Sequence, residues 1–245
     1  MYRDPASAEP ETVLFERVTG LSSFILGLLF VGPLGLVFVG VLTKAVITML
    51  ICAVPFWAGS VIALAFRKRI SVTNHGVRSR SAFGGTFIGY DDVRNLVVPH
   101  GSMAAVAATS GSAGAAAIVV YGQHTTIAVP ADAPTDVIAH IVARALPAAV
   151  ERAEAAIARG ELFADPDRFS GIDAKALHGT RVGFTSTPVE VPLETVAAIS
   201  TAGSVTTTTD DKTFLIGARD LVLVALIQRR GISIELPHAM SSLLP

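Results

Sequence analysis

The sequence predicts a membrane-anchored α+β chain: a two-helix transmembrane hairpin followed by two β modules, each closed by a C-terminal helix. Three observations predict it. Residues 18–66 carry one charge, Lys44, in a chain that is 16% charged and 51% hydrophobic overall, where soluble domains average about 25% charged. From Arg67 onward the apolar text gives way to short alternating runs of the kind that form half-buried strands. An order of several strands and then a helix occurs twice.

The hairpin comes first. Residues 21–42 and 45–66 are uncharged runs of 22 residues, separated by Thr43 and Lys44. At ~1.5 Å per residue each gives a helix of ~33 Å, enough for a hydrocarbon core of ~30 Å. The short connection leaves only a tight antiparallel pair, in which each helix satisfies its own backbone groups. A cleaved signal peptide is the alternative for the first run, but signal peptides have shorter apolar regions, about 7 to 15 residues, and here a second run follows at once. Pro33 and Pro55 predict kinks. Arg17 stands before the first run and Arg67, Lys68 and Arg69 follow the second. That bias predicts a multi-pass protein of the cytoplasmic (inner) membrane with both termini cytoplasmic. Ser23 with Gly27, and Gly32, Gly35 and Gly40, predict thin places where helices approach closely. The single cysteine, Cys52, excludes an intrachain disulfide and a cysteine metal cluster; its place in the second run predicts a small apolar filler in a buried or lipid-facing helix.

After the hairpin the charge splits, with residues 67–100 at +4 and residues 101–245 at −4. Ile70 and Val72, a turn at Asn74-His75-Gly76, and Val77 with Arg78 and Arg80 opposite predict a β-hairpin. Strand-like text continues through 86–90 and 93–98. Residues 101–114, GSMAAVAATSGSAG, are uncharged and small; they predict a flexible loop and fit neither GxGxxG nor GxxxxGK[ST]. A second hairpin spans 115–121 and 125–129 about Gly122 and Gln123, and Val137, Ile138, Ile141 and Val142 give helical spacing within 134–145. Residues 146–160 read as a further amphipathic helix ending at Gly160. The order then repeats: Tyr90-Asp91-Asp92-Val93-Arg94-Asn95-Leu96 matches Leu193-Glu194-Thr195-Val196-Ala197-Ala198-Ile199, and Thr125-Thr126-Ile127 matches Thr213-Phe214-Leu215 ahead of a second helix at 219–228. The two offsets differ by about the length of the 101–114 loop, so one inserted loop reconciles a duplication.

Two apolar runs followed by a basic hairpin, YDDVRNLVV and a closing helix resemble the bacterial PH-like domains of small membrane proteins. ALPAAVERAEAAIARGE, VPLETVAAIS and the final helix look like an uncharacterised family that joins PH-like modules in tandem. The resemblance covers about 67–231 and implies, for each copy, a bent sheet of about seven strands closed at one end by the helix. It departs from that pattern at 163–177, where a polar segment broken by Pro and Gly replaces regular strands. The implied organisation is a cytoplasmic N-terminal tail (1–17), the transmembrane hairpin (18–66), a first PH-like module (67–146), a linking helix (147–160), a second PH-like module (161–236) and a tail (237–245).

No catalytic motif emerges. The six histidines, at 75, 100, 124, 140, 178 and 238, include no HxxxH or HExxH pair, so zinc hydrolase chemistry has no support, and no metal or cofactor is assigned. Asp165-Pro166-Asp167 starts like a calcium loop, but Ala176 stands where the bidentate carboxylate belongs. Asp91 with Asp92, read as strand neighbours, point to opposite faces; Asp210 with Asp211 read as a turn. No serine stands in GxSxG. Nucleic acid is excluded as a partner because only the stretch beside the apolar hairpin is basic. The cations Arg67, Lys68, Arg69, Arg78 and Arg80 are the candidate contacts to anionic lipid headgroups. The functional expectation is a non-catalytic, membrane-anchored protein that presents PH-like modules at the cytoplasmic membrane face to a protein or lipid partner. The alternatives are a small accessory subunit of an envelope or transport complex acting through its hairpin, or an enzyme. An enzyme would place any of His75, His124, His178 and the acids together in one cleft.

Overall fold

The computed structural model describes residues 10–19, 23–42, 46–65, 67–99, 116–166, 170–181, 187–200, 204–208, 214–215, 219–236, 241 and 243–244. Its first strand is one the sequence did not announce: β1 (Val13–Thr19) pairs antiparallel with β2 (Lys68–Thr73), Thr19 opposite Lys68 and Arg17 opposite Ile70. Between these paired strand ends stand two helices that lie against each other, α1 (Ser23–Leu42) and α2 (Val46–Ala65).

The helical hairpin is therefore present, but its expected membrane role is not supported. Among the described residues no helix is long and apolar enough to cross a membrane. The transmembrane hairpin, the membrane-anchored class and the multi-pass inner-membrane location with both termini cytoplasmic are corrected accordingly. The physical reason lies in length and regularity. Each 22-residue run gives a helix of 20 residues, ~30 Å at ~1.5 Å per residue, with no reserve over the hydrocarbon thickness. Each also holds an internal proline, Pro33 or Pro55, which removes a backbone donor. A Cβ added at Gly32 or Gly35 would meet nothing within 4 Å, so these two glycines face open space and not a close helix crossing. Cys52 is exposed. Lys44 lies outside the described residues.

The basic hairpin forms as its alternation predicts. β2 pairs with β3 (Gly76–Ser81), Val72 opposite Val77, and β3 pairs with β4 (Gly84–Gly89), Val77 opposite Ile88. Ile70, Val72, Val77 and Ile88 are buried. Gly76 is required here, because a Cβ would run into the Ile88 carbonyl oxygen and the Gly89 Cα. A 3-10 turn at Tyr90–Asp92 leads to β5 (Asn95–Val97), which pairs with β6 (Ala116–Tyr121), which pairs with β7 (Thr126–Pro130). The loop expected at 101–114 lies outside the described residues. The Tyr90 hydroxyl donates to the Thr73 carbonyl at 2.7 Å and ties this turn back to β2; burial pushes its pKa up to about 12.

The two helical stretches read from 134 to 160 are one helix, α3 (Thr135–Ala158), with Pro147 inside it. Its buried residues, among them Val137, Ile141, Ala145, Ala149 and Ala153, recur at three- and four-residue spacing, so one apolar stripe runs along it. Gly160, at φ +83°, lets the chain leave the helix in the left-handed conformation.

The second half opens with short strands in the segment that broke the expected pattern: β8 (Phe163–Ala164), β9 (Gly171–Ile172) and β10 (Ala176–Arg181), each pair antiparallel, with β11 (Thr187–Pro192) on the other side of β10. A 3-10 turn at Leu193–Thr195 leads to β12 (Val196–Ile199), then β13 (Ser204–Thr207), β14 (Phe214–Leu215) and α4 (Leu221–Arg229). The segments matched in sequence thus fold alike, each a 3-10 turn, a meander of three strands and a helix. β15 (Ser233–Ile234) then runs parallel to β12. Asp210 and Asp211 lie outside the described residues.

Both halves share one continuous core of buried apolar side chains running from Ile70 to Ile232. α4 is its centre. Leu221, Val222, Leu223, Val224, Leu226 and Ile227 are all buried, and a helix that is apolar on nearly every side is a core element. It packs against α3 and β5 of the first half and β9 and β15 of the second.

Candidate functional site

The seam between the halves is knitted by polar groups at the start of α4. Asp220 caps that helix, its carboxylate accepting from the Val222 amide at 2.9 Å, as an N-cap side chain does. Asn95 of β5 donates its side-chain amide to the same carboxylate and, at 3.3 Å, to the Ala164 carbonyl of β8. Val98 N–H donates to the Arg219 carbonyl at 3.0 Å. Asp220 is 1% exposed. Burial pushes its pKa up to about 7, against the opposing hydrogen bonds from Asn95 and the Val222 and Leu96 amides, and nearby Asp165 adds to the rise.

In front of this seam opens a cleft of about 1420 Å³. Its first wall is Arg94 and Asn95 with the β6–β7 turn around His124; its floor is the second half of α3; its far wall is β8, β10 and β11, including His178 and Glu190. The polar floor is held in place by the backbone. Arg152 donates its guanidinium to the carbonyls of Asp91 and Val93, and so locks α3 to the first 3-10 turn. Arg159 pairs with Glu161 at 2.7 Å, and this hydrogen bond holds the Glu161 carboxyl below its ordinary range.

The far wall carries a second ionisable group of contacts. Asp173, in the turn between β9 and β10, accepts from the Lys175 and Ala176 amides at 2.7 and 2.8 Å through Oδ1, while its Oδ2 lies 2.9 Å from His178 Nε2. Partial burial acts to raise the Asp173 carboxyl, but the hydrogen bonds from Lys175, His178 and Ala176 outweigh it and hold it below the usual value. His178 of β10 stands directly opposite Glu190 of β11, so the two side chains share a sheet face.

The five cations named in the sequence fall elsewhere. Arg67, Lys68, Arg69 and Arg80 line a recess of about 310 Å³ with Val18 and Ser81, at the base of the helical hairpin. Arg69 is paired with Glu16. Arg78 lies outside the recess: it pairs with Glu11 at 3.2 Å and sits over the Phe87 ring at 5.2 Å.

Of the histidines, His124 and His178 meet Glu161, Asp165 and Glu190 in the large cleft. His75 does not: it lies in the β2–β3 turn. His140 sits on α3 with its ring edge-on to Tyr90, centroids 5.8 Å apart, and burial together with Arg144 holds its pKa down. His100 and His238 lie outside the described residues. Asp91 and Asp92 occupy a 3-10 turn and not a strand, and both are exposed. Motif spacing did not bring out Asp173, His178 and Glu190 as a set, because a turn and a cross-strand register, and not a fixed interval, bring them together. No family model matches the chain, and no curated protein matches it at a significant level.

Proposed function

We propose that this chain is a non-catalytic binding protein in which two PH-like β modules, joined over one core, offer the cleft to an extended segment of a protein partner. The observation that carries this reading is the size of the cleft. At about 1420 Å³ it exceeds the roughly 300–1,000 Å³ of small-molecule pockets, and it runs across elements of both halves. Support for the PH-like description comes from the order of elements. Within 67–146 the strands β2–β7 come before α3, and within 161–236 the strands β8–β14 come before α4, so each module runs from strands to a helix, while β1 stands ahead of the helical hairpin. Arg94 on the first wall, Arg159 at the floor and Glu190 on the far wall supply both signs of charge, so a partner is read by charge pattern as well as by shape.

The test is a charge reversal in the cleft. Full chain and an Arg94→Glu, Arg159→Glu variant are used side by side as bait, and what each retains is identified by mass spectrometry and then titrated as purified protein. The reading expects a partner that binds the parent chain directly and loses at least about tenfold in affinity with the variant. A partner held equally by both removes the cleft from the interaction.

A second reading is favoured by the recess at the base of the helical hairpin. Lys68 and Arg80 there, beside Arg67 and Arg69, suit an anionic headgroup. Two of the five cations first named are already answered by carboxylates, Arg69 by Glu16 and Arg78 by Glu11, which lowers the attraction left for a ligand.

A further inference from the structure

We propose that Asp173, His178 and Glu190 form a three-ligand site for a zinc-like divalent cation on the far wall of the cleft, with its open coordination position facing the cleft. The proposal is independent of what the cleft itself binds.

Three facts of geometry support it. One ligand atom from each residue lies within 4.8 Å of the other two. His178 and Glu190 are direct partners across the β10–β11 ladder, so the sheet fixes their separation and common face. Asp173 is oriented before any ion arrives: Oδ1 is engaged by the Lys175 and Ala176 amides, which aims Oδ2 at His178 Nε2, 2.9 Å away. Metal–ligand bonds of ~2.0–2.2 Å place tetrahedral donors ~3.3–3.6 Å apart. The Asp173–His178 pair is already near that spacing, and Glu190, the exposed member, has the side-chain freedom to close the remainder.

The donor set selects the ion. One imidazole nitrogen and two carboxylates suit zinc or a similar borderline cation better than magnesium or calcium, which take all-oxygen shells. Three protein ligands with a fourth position open are the arrangement of sites that hold an exchangeable water or ligand oxygen. His178 and Glu190 both line the cleft and Asp173 is not among its lining residues, so the fourth position opens where a partner's carboxylate or phosphate would arrive. The ion would also cross-link β11, which among the described residues pairs with β10 alone, to the β9–β10 turn.

The experiment uses the full chain on a Cys52→Ala background, so that the exposed thiol does not compete. Zn²⁺ is titrated by calorimetry, and Co²⁺ is followed by its visible absorption, which reports coordination by the protein. The expected result is one saturable equivalent, a rise in thermal midpoint with added Zn²⁺, and a loss of at least about tenfold in affinity for His178→Ala and for Glu190→Gln separately. Glu190→Gln changes an exposed side chain and leaves the fold intact, so it remains decisive if His178→Ala folds poorly. His124→Ala, in the same cleft but outside the set, should bind as the parent does. Absence of saturable uptake, or affinity unchanged in Glu190→Gln, overturns the site. Equal loss in His124→Ala overturns the assignment of these three ligands.

Discussion

The Asn95 side-chain amide donates to the Asp220 carboxylate, 125 residues away in sequence and fully buried, at the point where β5 of the first half meets the first turn of α4 in the second. This pair joins two halves that the sequence presents as separate repeats, and it does so with an ionisable group in the core.

A pH dependence follows. Asp220 has a folded pKa of about 7 against 3.8 for an ordinary aspartate. Between those values the folded chain keeps a proton that the unfolded chain has lost, so stability is fully present below about pH 4 and declines as pH rises towards 7. The difference across this window is on the order of 4 kcal/mol. Asp220→Asn keeps a side chain able to cap the helix and removes the titration. Chemical denaturation at several pH values should give a flatter stability profile for the variant; an identical slope in both proteins would remove Asp220 from the pH response.

Because α4 is buried between both halves, a cavity there should be felt by both. Leu226→Ala is expected to cost about 2–5 kcal/mol in one cooperative transition. Hydrogen exchange is the check: amides of β6 and of β10 should lose protection together. Loss confined to β10 would mean that the shared core does not couple the halves.

Gly76→Ala tests backbone crowding. Its Cβ would press on the Ile88 carbonyl and the Gly89 Cα, neither of which is a flexible side-chain end, and overpacking of this kind costs about 1–3 kcal/mol. Gly122→Ala has the Ile88 side chain as its nearest contact, at 3.3 Å, and should cost less. Thermal unfolding of the two variants ranks them, and the reverse order would contradict the register of β3 against β4.

For the basic recess, cosedimentation with anionic and neutral vesicles is the measurement. Each exposed Lys or Arg near an anionic surface contributes about 1 kcal/mol, screened over ~8 Å at physiological salt. Lys68→Ala with Arg80→Ala should therefore weaken binding to anionic vesicles by roughly thirtyfold in low salt, while Arg78→Ala, whose guanidinium already pairs with Glu11, should change little. Equal binding to neutral vesicles, or equal loss in both variants, would rule the recess out.

Local patterns were readable in the sequence wherever period and punctuation agreed. The Asn74-His75-Gly76 turn, the strands around Gly122 and the helix after Pro134 appear where alternation, glycine and helical spacing place them. The two segments matched in sequence both fold as a 3-10 turn followed by a strand. What the sequence hid depends on partners distant in the chain. β1 has its side chains mostly exposed, so no alternation marks it, and only its pairing with β2 makes it a strand. The membrane assignment rested on the composition of two runs, and among the described residues no helix meets the length and apolarity needed. The Asp173, His178 and Glu190 set was invisible to motif spacing because it is made by register across β10 and β11.

The pairing of β1 with β2 also fixes an order of events. β1 leaves the ribosome before β2, its sheet neighbour among the described residues, which arrives after both hairpin helices have been made, since Thr19 must find Lys68. A loop of this length costs little more in closure entropy than one half as long, so the delay is a matter of time and not of equilibrium. During synthesis at about 5–20 residues per second, β1 waits some seconds with an open edge. Over the same interval the two apolar helices complete each other. The nascent chain therefore makes both apolar helices before β1 has its partner strand.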